Sequence, residues 1–145
     1  MISRILVVCI GNICRSPMAE GLLKQALPGV QTTSAGLGAL VGRGADPLAV
    51  SLMAEAGVDI SAHRARMLTD AIAREADLIL VMDEQQKEQI AKQYPYARGR
   101  VFRLAEAARQ DIPDPYRQKP EVFHTAFALA QSGVNAWVKR INSIA

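Results

Sequence analysis

The sequence predicts a single α/β domain whose four-stranded parallel sheet carries helices on both faces. Short apolar runs rich in β-branched residues alternate along the chain with longer segments of helical periodicity, and this alternation is typical of such sheets. No repeat, linker or low-complexity tract divides the 145 residues, so one domain is expected over residues 1–145. A loop that contains glycine follows the first run, at the edge where parallel sheets bind ligands.

Each predicted strand is a short run bounded by turn-forming or polar residues. The runs are RILVV (residues 4–8), VQTTSA (30–35), DLILVM (77–82) and RVFRL (100–104). Because RILVV and DLILVM are mostly apolar, we expect these two strands to be covered on both faces.

The predicted helices follow these strands and have recognisable start signals. Ser16 is expected to be the N-cap of a first helix that has Pro17 in its first turn, and Asp46 is expected to cap a second helix. The predicted helices are MAEGLLKQAL (18–27), PLAVSLMAEAG (47–57), residues 84–93 and a C-terminal amphipathic helix. The apolar positions that predict the last one are Phe123, Phe127, Ala130, Val134, Trp137, Val138 and Ile141.

Composition limits the class of partner. The 50% hydrophobic and 21% charged residues are ordinary for a globular protein. The net charge of +3 favours anionic ligands, but no basic run is interleaved with aromatic residues, so nucleic acid is not an expected partner. The N-terminal apolar run is too short for a signal peptide or a membrane span. We therefore expect a cytoplasmic protein, without membrane insertion, that is a monomer or a weak oligomer.

Residues 8–17, VCIGNICRSP, contain both cysteines of the chain within eight residues of an arginine, a serine and a proline. A thiolate is stabilised at helix N-termini and beside cations, and Cys9 is expected to have both influences. The backbone N–H groups of a curled loop over residues 10–15, together with the following helix dipole, form an anion site. Arg15 can return over this site and hold two phosphate oxygens. The pattern indicates a nucleophilic cysteine in a phosphate-binding loop.

Three further loop residues have expected supporting roles. Gly11 permits close approach of the backbone, and Asn12 tolerates the left-handed conformation and can hold the curl with its amide. The Ser16 hydroxyl can donate to the Cys9 sulfur, which stabilises the thiolate and eases its later departure.

The segment CIGNICRSP resembles the C-x5-R-S signature of the low-molecular-weight protein tyrosine phosphatases. IPDPYR (112–117) resembles the aspartate-proline-tyrosine loop of that family, and SAGLGALVGRGADP (34–47) also matches it. These three segments occur in the same order as in that family, and together they sample almost the whole chain. The likeness is greatest to bacterial members that accompany exopolysaccharide or capsule tyrosine kinases. The resemblance implies a cysteine-dependent protein-tyrosine-phosphatase that needs no metal or other cofactor.

The implied reaction begins with attack of Cys9 on phosphorus and proceeds through a phosphocysteine. The leaving phenolate, whose conjugate acid has a pKa near ~10, departs more easily when an acid protonates it. Asp114 is chosen for this role over Asp111 because Pro113 and Pro115 stiffen its loop and because it matches the family motif. Asp114 is then expected to act as the base in hydrolysis of the phosphocysteine.

The resemblance also implies the rest of the site. Ser16, Ser34 and His63 are expected to support the loop, the last two through hydrogen bonds to Asn12. Tyr116 is expected to line one wall of the cleft, and Leu40 lies where eukaryotic relatives commonly carry an aromatic residue. The expected substrate-binding residues are Ile10, Gly11, Asn12, Ile13, Cys14, Ser16, Leu40 and Tyr116.

Some interpretations stay open at this stage. Cys14 is either a packing residue or a thiol that captures oxidised Cys9 as a reversible disulfide. Arg64 and Arg66 are interpreted as solvated charges, and residues 36–42 as a mobile loop that edges the cleft. The resemblance implies a phosphotyrosine protein as the partner, with the tyrosine-rich tail of a membrane tyrosine autokinase as the leading substrate.

The alternative functions are a thiol-relay arsenate reductase and a non-catalytic module that binds phosphotyrosine or another oxyanion. The first is disfavoured because no cysteine follows Cys14. The second is disfavoured because a nucleophile and an acid are both present.

Overall fold

The computed structural model describes residues 1–144 and contains an alternating series of strands and helices. In chain order they are β1 (Arg4–Cys9), α1 (Arg15–Ala26), β2 (Gln31–Gly36), α2 (Pro47–Glu55), α3 (Asp70–Glu75), β3 (Leu78–Val81), α4 (Glu84–Gln93), β4 (Val101–Arg103) and α5 (Pro120–Ser143). Short 3-10 helices span Pro95–Arg100 and Glu106–Ala108. No helix within residues 1–144 has the length and apolarity needed to cross a membrane.

The sheet has the order β2-β1-β3-β4, and all of its pairings are parallel. Val7 in the central strand β1 is paired with Ser34 of β2 and with Leu80 of β3. The chain crosses from one side of β1 to the other after β2, so the order reverses beside β1. Ligands bind at the carboxyl ends of strands at such a reversal, and β1 ends there at Cys9.

Alternate side chains of β1 enter two separate apolar layers. Ile5 and Val7 pack with residues of α1, α2 and α5, whereas Leu6 and Val8 pack with residues of α3 and α4. The side chains of β1 are therefore buried on both faces, as a parallel sheet requires. The predicted fold, a four-stranded parallel sheet with helices on both faces, is confirmed.

Helix α5 packs closely against the end of β4. A Cβ atom at Gly133 would lie 2.6 Å from the carbonyl oxygen of Leu104, which follows β4 directly. Glycine is therefore required at this point of the helix, although it lowers intrinsic helix propensity. The close approach fixes α5 against the start of the segment that leads to Asp114.

The start of α1 differs from the expectation. The helix begins at Arg15, its N-cap residue is Cys14, and no side chain caps it. Ser16 lies inside the first turn, where its hydroxyl contacts the Cys9 sulfur and accepts from the Asn12 side chain. The prediction that Ser16 is an N-cap was wrong because these tertiary partners compete for the hydroxyl. Asp46 does cap α2, through the backbone N–H of Leu48.

The segment after β2 runs beside the loop that follows β1. The backbone N–H groups of Leu37, Gly38 and Leu40 donate to the carbonyl oxygens of Cys9, Ile10 and Gly11 in turn, at 2.9, 3.0 and 3.0 Å. At Gly36 a Cβ atom would collide with the carbonyl oxygen of Ile10, so only glycine permits this approach. Residues 37–40 thereby become one wall of the cleft above Cys9.

Candidate active site

The loop between β1 and α1 surrounds a cleft of about 160 Å³. Cys9 is the last residue of β1 and Arg15 is the first residue of α1, so the two elements hold the ends of the loop. We refer to residues 9–15 as the phosphate loop. The cleft is lined by Cys9, Ile10, Gly11, Ile13, Cys14, Arg15, Gly38, Leu40, Asp114 and Tyr116.

Asn12 holds the curl of the phosphate loop from inside the protein. Its φ angle of 59° is left-handed, and its side chain is fully buried. The amide nitrogen donates to Ser16 Oγ at 2.7 Å and to Ser34 Oγ at 3.0 Å. The amide oxygen accepts from the backbone N–H of Arg66, and the Asn12 carbonyl accepts from His63 Nε2 at 2.7 Å. The structure therefore brings Ser34 and His63 to Asn12 at the contacts that the resemblance implied, and it adds the contact between Asn12 and Ser16.

The hydrogen bonds around Ser16 determine the direction of its proton. Its oxygen accepts from the Asn12 amide and lies 2.9 Å from the Cys9 sulfur. Because the Asn12 nitrogen is a donor, the Ser16 hydroxyl hydrogen is free to point at Cys9. This arrangement can stabilise a negative charge on the sulfur.

Arg15 presents a guanidinium that is fixed from behind. The side chain is only 3% exposed, and Nη1 donates to the carbonyl oxygen of Ile112 at 2.8 Å. Nitrogen atoms of the same group lie 3.7 Å from Asp83 Oδ2 and 3.6 Å from Asp114 Oδ2. A guanidinium held in one plane is suited to bidentate contact with phosphate oxygens.

Asp114 lines the same cleft, with Oδ2 3.6 Å from Arg15 Nη2, and remains half exposed. Its Oδ1 accepts from the backbone N–H of Tyr116 at 3.1 Å. Asp111 does not line the cleft, because its carboxylate accepts from the Glu84 N–H and from Arg103 Nη1. The geometry is consistent with the choice of Asp114 over Asp111.

The walls of the cleft are mainly apolar. Leu40 and Tyr116 line it as expected, together with Ile10 and Ile13. Asn12 and Ser16 do not line it, although both were among the expected substrate-binding residues. They are fully buried behind the loop, because the left-handed turn directs the Asn12 amide toward Ser34 and away from the cleft.

Cys14 is a free thiol that is buried beside Cys9. Burial raises the pKa of Cys14 above its ordinary value, and the negative charge of Asp46 raises it further. The Cys14 thiol therefore stays protonated near neutral pH.

Several site residues escaped the sequence analysis. Asp83 and the Ile112 carbonyl both contact Arg15. Asp83 could have been found from the sequence, since it directly follows a predicted strand, where ligand-binding residues of a parallel sheet lie. Arg66 was interpreted as a solvated charge, but its Nε donates to the Ser34 carbonyl at 2.8 Å. That interpretation was incomplete because the contact joins segments far apart in the chain.

The comparisons with known proteins agree with the geometry. The family model described as low molecular weight phosphotyrosine protein phosphatase matches residues 4–144. A probable low molecular weight protein-tyrosine-phosphatase, EpsP of Ralstonia solanacearum, is 57% identical over 144 residues, 99% of each chain. The structure of Vibrio vulnificus Wzb in complex with benzylphosphonate has a TM-score of 0.93 at 40% identity and covers 97% of this chain and 99% of that one.

A more distant relative is also similar in structure. The YwlE arginine phosphatase from Geobacillus stearothermophilus has a TM-score of 0.90 at 32% identity, over 97% of this chain and 94% of that one. The extent of these matches leads to one conclusion. The chain belongs to the low molecular weight phosphotyrosine protein phosphatase family.

Proposed function

We propose that this protein hydrolyses phosphotyrosine in proteins through a phosphocysteine intermediate. The observation that carries the proposal is the convergence of the Cys9 sulfur, the Arg15 guanidinium and the Asp114 carboxyl on one cleft. A nucleophile, a phosphate-binding group and an acid are the parts that this reaction needs.

In the first step the Cys9 thiolate attacks phosphorus while the bond from phosphorus to the tyrosyl oxygen breaks. Asp114 gives its proton to that oxygen, so the product leaves as a neutral phenol. Arg15 and the backbone N–H groups of the phosphate loop hold the phosphoryl oxygens throughout. Because these donors are fixed in advance, they stabilise the transition state without reorganisation.

In the second step water attacks the phosphocysteine. The Asp114 carboxylate accepts a proton from the water, and the sulfur–phosphorus bond breaks as inorganic phosphate forms. The electron pair returns to Cys9, where the Ser16 hydroxyl at 2.9 Å stabilises the departing thiolate. Asp114 ends the cycle protonated and ready for another substrate.

The cleft walls support an aromatic substrate. Leu40 and Tyr116 provide apolar surfaces against which a phenyl ring can pack, and Asp114 is the one carboxylate in the lining formed by the described residues 1–144. A phosphoguanidinium group would leave more polar N–H groups to satisfy in these surroundings. Phosphotyrosine is therefore preferred over phosphoarginine.

The test measures phosphate release from an aryl phosphate in excess EDTA for the wild type and for Cys9→Ser. We expect turnover by the wild type and none by Cys9→Ser, with circular dichroism used to check that the variant is folded. An inactive wild type that still binds phosphotyrosine peptide would make this a binding module. A parallel assay with a phosphoarginine peptide tests the preference, and faster turnover of that peptide would overturn it.

We further propose that the substrate is the tyrosine-rich tail of a membrane-bound autokinase in exopolysaccharide or capsule production. The support is the resemblance to bacterial family members that accompany such kinases. On this proposal residues 1–145 act as one cytoplasmic domain, as a monomer or weak oligomer. Incubation with such a phosphorylated kinase, followed by anti-phosphotyrosine blotting, should remove the signal with the wild type and retain it with Cys9→Ser. Retention with both would contradict the assignment.

A further inference from the structure

A second concave region adjoins Asn12 and is not used by the proposed reaction. It lies between α1 and residues 58–66 and has a volume of about 360 Å³. Its floor includes Glu20, Ser34 and His63, and its rim carries Lys24, Arg64 and Arg66. It shares no lining residue with the cleft above Cys9. We call it the rear groove.

The rear groove is connected to the phosphate loop through Asn12. Ser34 Oγ accepts from the Asn12 amide at 3.0 Å, and His63 Nε2 donates to the Asn12 carbonyl at 2.7 Å. The backbone N–H of Arg66 donates to Asn12 Oδ1 at 3.0 Å. If these hydrogen-bonding groups moved, Asn12 would move with them, and the phosphate loop that positions Cys9 and Arg15 would change its shape.

The carboxylates near the rear groove are already occupied by internal donors. Glu20 accepts from the Ser34 hydroxyl and pairs with Lys24 at 2.8 Å. Asp59 accepts from the Ser61 N–H at 2.8 Å. Both acids keep their negative charge, but Lys24, Arg64 and Arg66 outnumber them, so the lining of the rear groove is net positive.

The two arginines are only partly engaged. Arg64 Nη1 donates to the His63 carbonyl at 2.7 Å, and Arg66 Nε donates to the Ser34 carbonyl at 2.8 Å. Over residues 1–144 neither guanidinium pairs with a carboxylate. Both side chains are exposed and keep further N–H donors for an oxyanion, for which guanidinium groups are well suited.

We propose that the rear groove binds a small organic oxyanion, one that carries carboxylate or phosphate groups, and that this binding lowers turnover at the cleft. The oxyanion accepts from the further N–H donors of Arg64 and Arg66 and draws both side chains away from the carbonyl groups of His63 and Ser34. As those contacts weaken, His63 and Ser34 no longer hold Asn12 in place, and the phosphate loop loses its fixed geometry. The effect on turnover rests on the proposed function, whereas binding itself does not.

The kinetic test uses citrate as the probe, at constant ionic strength, with an aryl phosphate substrate. The variants are Arg64→Gln and, as a matched control, Arg98→Gln, whose arginine is exposed on the Pro95–Arg100 turn. Citrate bound in the catalytic cleft raises KM in all proteins without changing kcat. We expect citrate to lower kcat at least about twofold, and saturably, in the wild type and in Arg98→Gln, but not in Arg64→Gln. A kcat that citrate leaves constant in the wild type would overturn the proposal.

A binding test separates this inference from the proposed function. Citrate is titrated into ¹⁵N-labelled Cys9→Ser protein, which needs no catalytic activity. We expect saturable amide shifts at residues 62–66 and at Asn12, and their loss when Arg64→Gln is added. Shifts confined to residues 9–15 would show that citrate binds only in the catalytic cleft and would overturn the rear-groove site, whatever the phosphatase assay gives.

Discussion

The phosphate loop (residues 9–15) and the segment 111–117 face the same cleft but are held in different ways. In the phosphate loop, Asn12 is fully buried and Arg15 is nearly so. Asn12 also forms hydrogen bonds with Ser34 of β2 and with His63 of the segment after α2. In the other segment, hydrogen bonds hold Asp111 and Ile112, and Pro115 is buried. Asp114 between them remains half exposed, and within residues 1–144 the hydrogen bond that its carboxylate accepts comes from its own loop.

This difference corresponds to the two tasks of the site. Stabilising a doubly charged phosphoryl group requires donors that do not reorganise during the reaction, so their burial and bonding are an advantage. A proton donor that acts as a base in the next step must reach both the leaving oxygen and water. We infer that rigidity is concentrated where charge is bound and that solvent contact is kept where protons move.

The largest effect is expected from Arg15→Lys. Lysine cannot form the planar two-point contact with phosphate or keep the same bond to the Ile112 carbonyl, so kcat/KM should fall by about 10³-fold. Steady-state kinetics with an aryl phosphate measures this. Arg117→Lys, in which an exposed cation beside Tyr116 is changed, serves as the matched control and should stay within about threefold of the wild type. A loss below tenfold for Arg15→Lys would mean that the buried guanidinium is not the main phosphate contact.

The next effect concerns the proton donor. Asp114→Asn should lower kcat/KM, which reports only the steps up to departure of the phenol, by about 10²-fold with phenyl phosphate, because general acid catalysis contributes about that much to expulsion of a poor leaving group. With 2,4-dinitrophenyl phosphate, whose phenolate leaves without protonation, the loss should be much smaller. Equal losses with both substrates would contradict the assignment of Asp114 as the acid.

A smaller effect is expected at the fixed end of the second segment. Arg103 contacts Glu84, Glu106 and Asp111 at 3.2–3.3 Å, and Asp111 directly precedes the carbonyl that holds Arg15. Arg103→Gln should lower kcat for phenyl phosphate by about fivefold through loss of positioning. Arg140→Gln, which changes a cation exposed beside Trp137, is the control. If Arg103→Gln melts at a lower temperature but keeps full kcat, Arg103 stabilises the fold without positioning this segment.

The last prediction concerns thiol labelling and tests burial within the phosphate loop. Since burial raises the pKa of Cys14, its thiol remains protonated from neutral to mildly alkaline pH and should react slowly with iodoacetamide. Cys9, the thiolate of the proposed mechanism, should be labelled at least about tenfold faster at pH 7. Mass spectrometry of digests measures both rates, and Cys9→Ser should lose most of the label. Faster labelling of Cys14 would contradict the difference between the two thiols.

The fold and the main residues around the cleft could be predicted because their signals are local. β1, the curled loop and the first turn of α1 occur within residues 4–17, and α4 has the expected bounds. Asp114 was identified by its flanking prolines and by the family motif. The roles of these residues remain predictions, although the structure gathers them around one cleft.

The features that were missed depend on contacts between distant segments. Arg15 and the Ile112 carbonyl are separated by 97 positions, and no local pattern links them. Ser16 has the residue type of an N-cap, but Cys9 and Asn12 engage its hydroxyl. Helix α3 has six residues, too few to give a helical period.

The close approach at Gly133 also makes one side of the cleft depend on a helix that comes later in the chain. The phosphate loop precedes α5 in the chain by more than 100 residues and is therefore translated before it. The Leu104 carbonyl lies at the start of the segment that leads to Asp114, and it packs against Gly133 of α5. During translation, Cys9 is therefore present before α5, the helix against which the segment leading to Asp114 packs. We expect the segment that carries Asp114 to reach its final position only after α5 has docked.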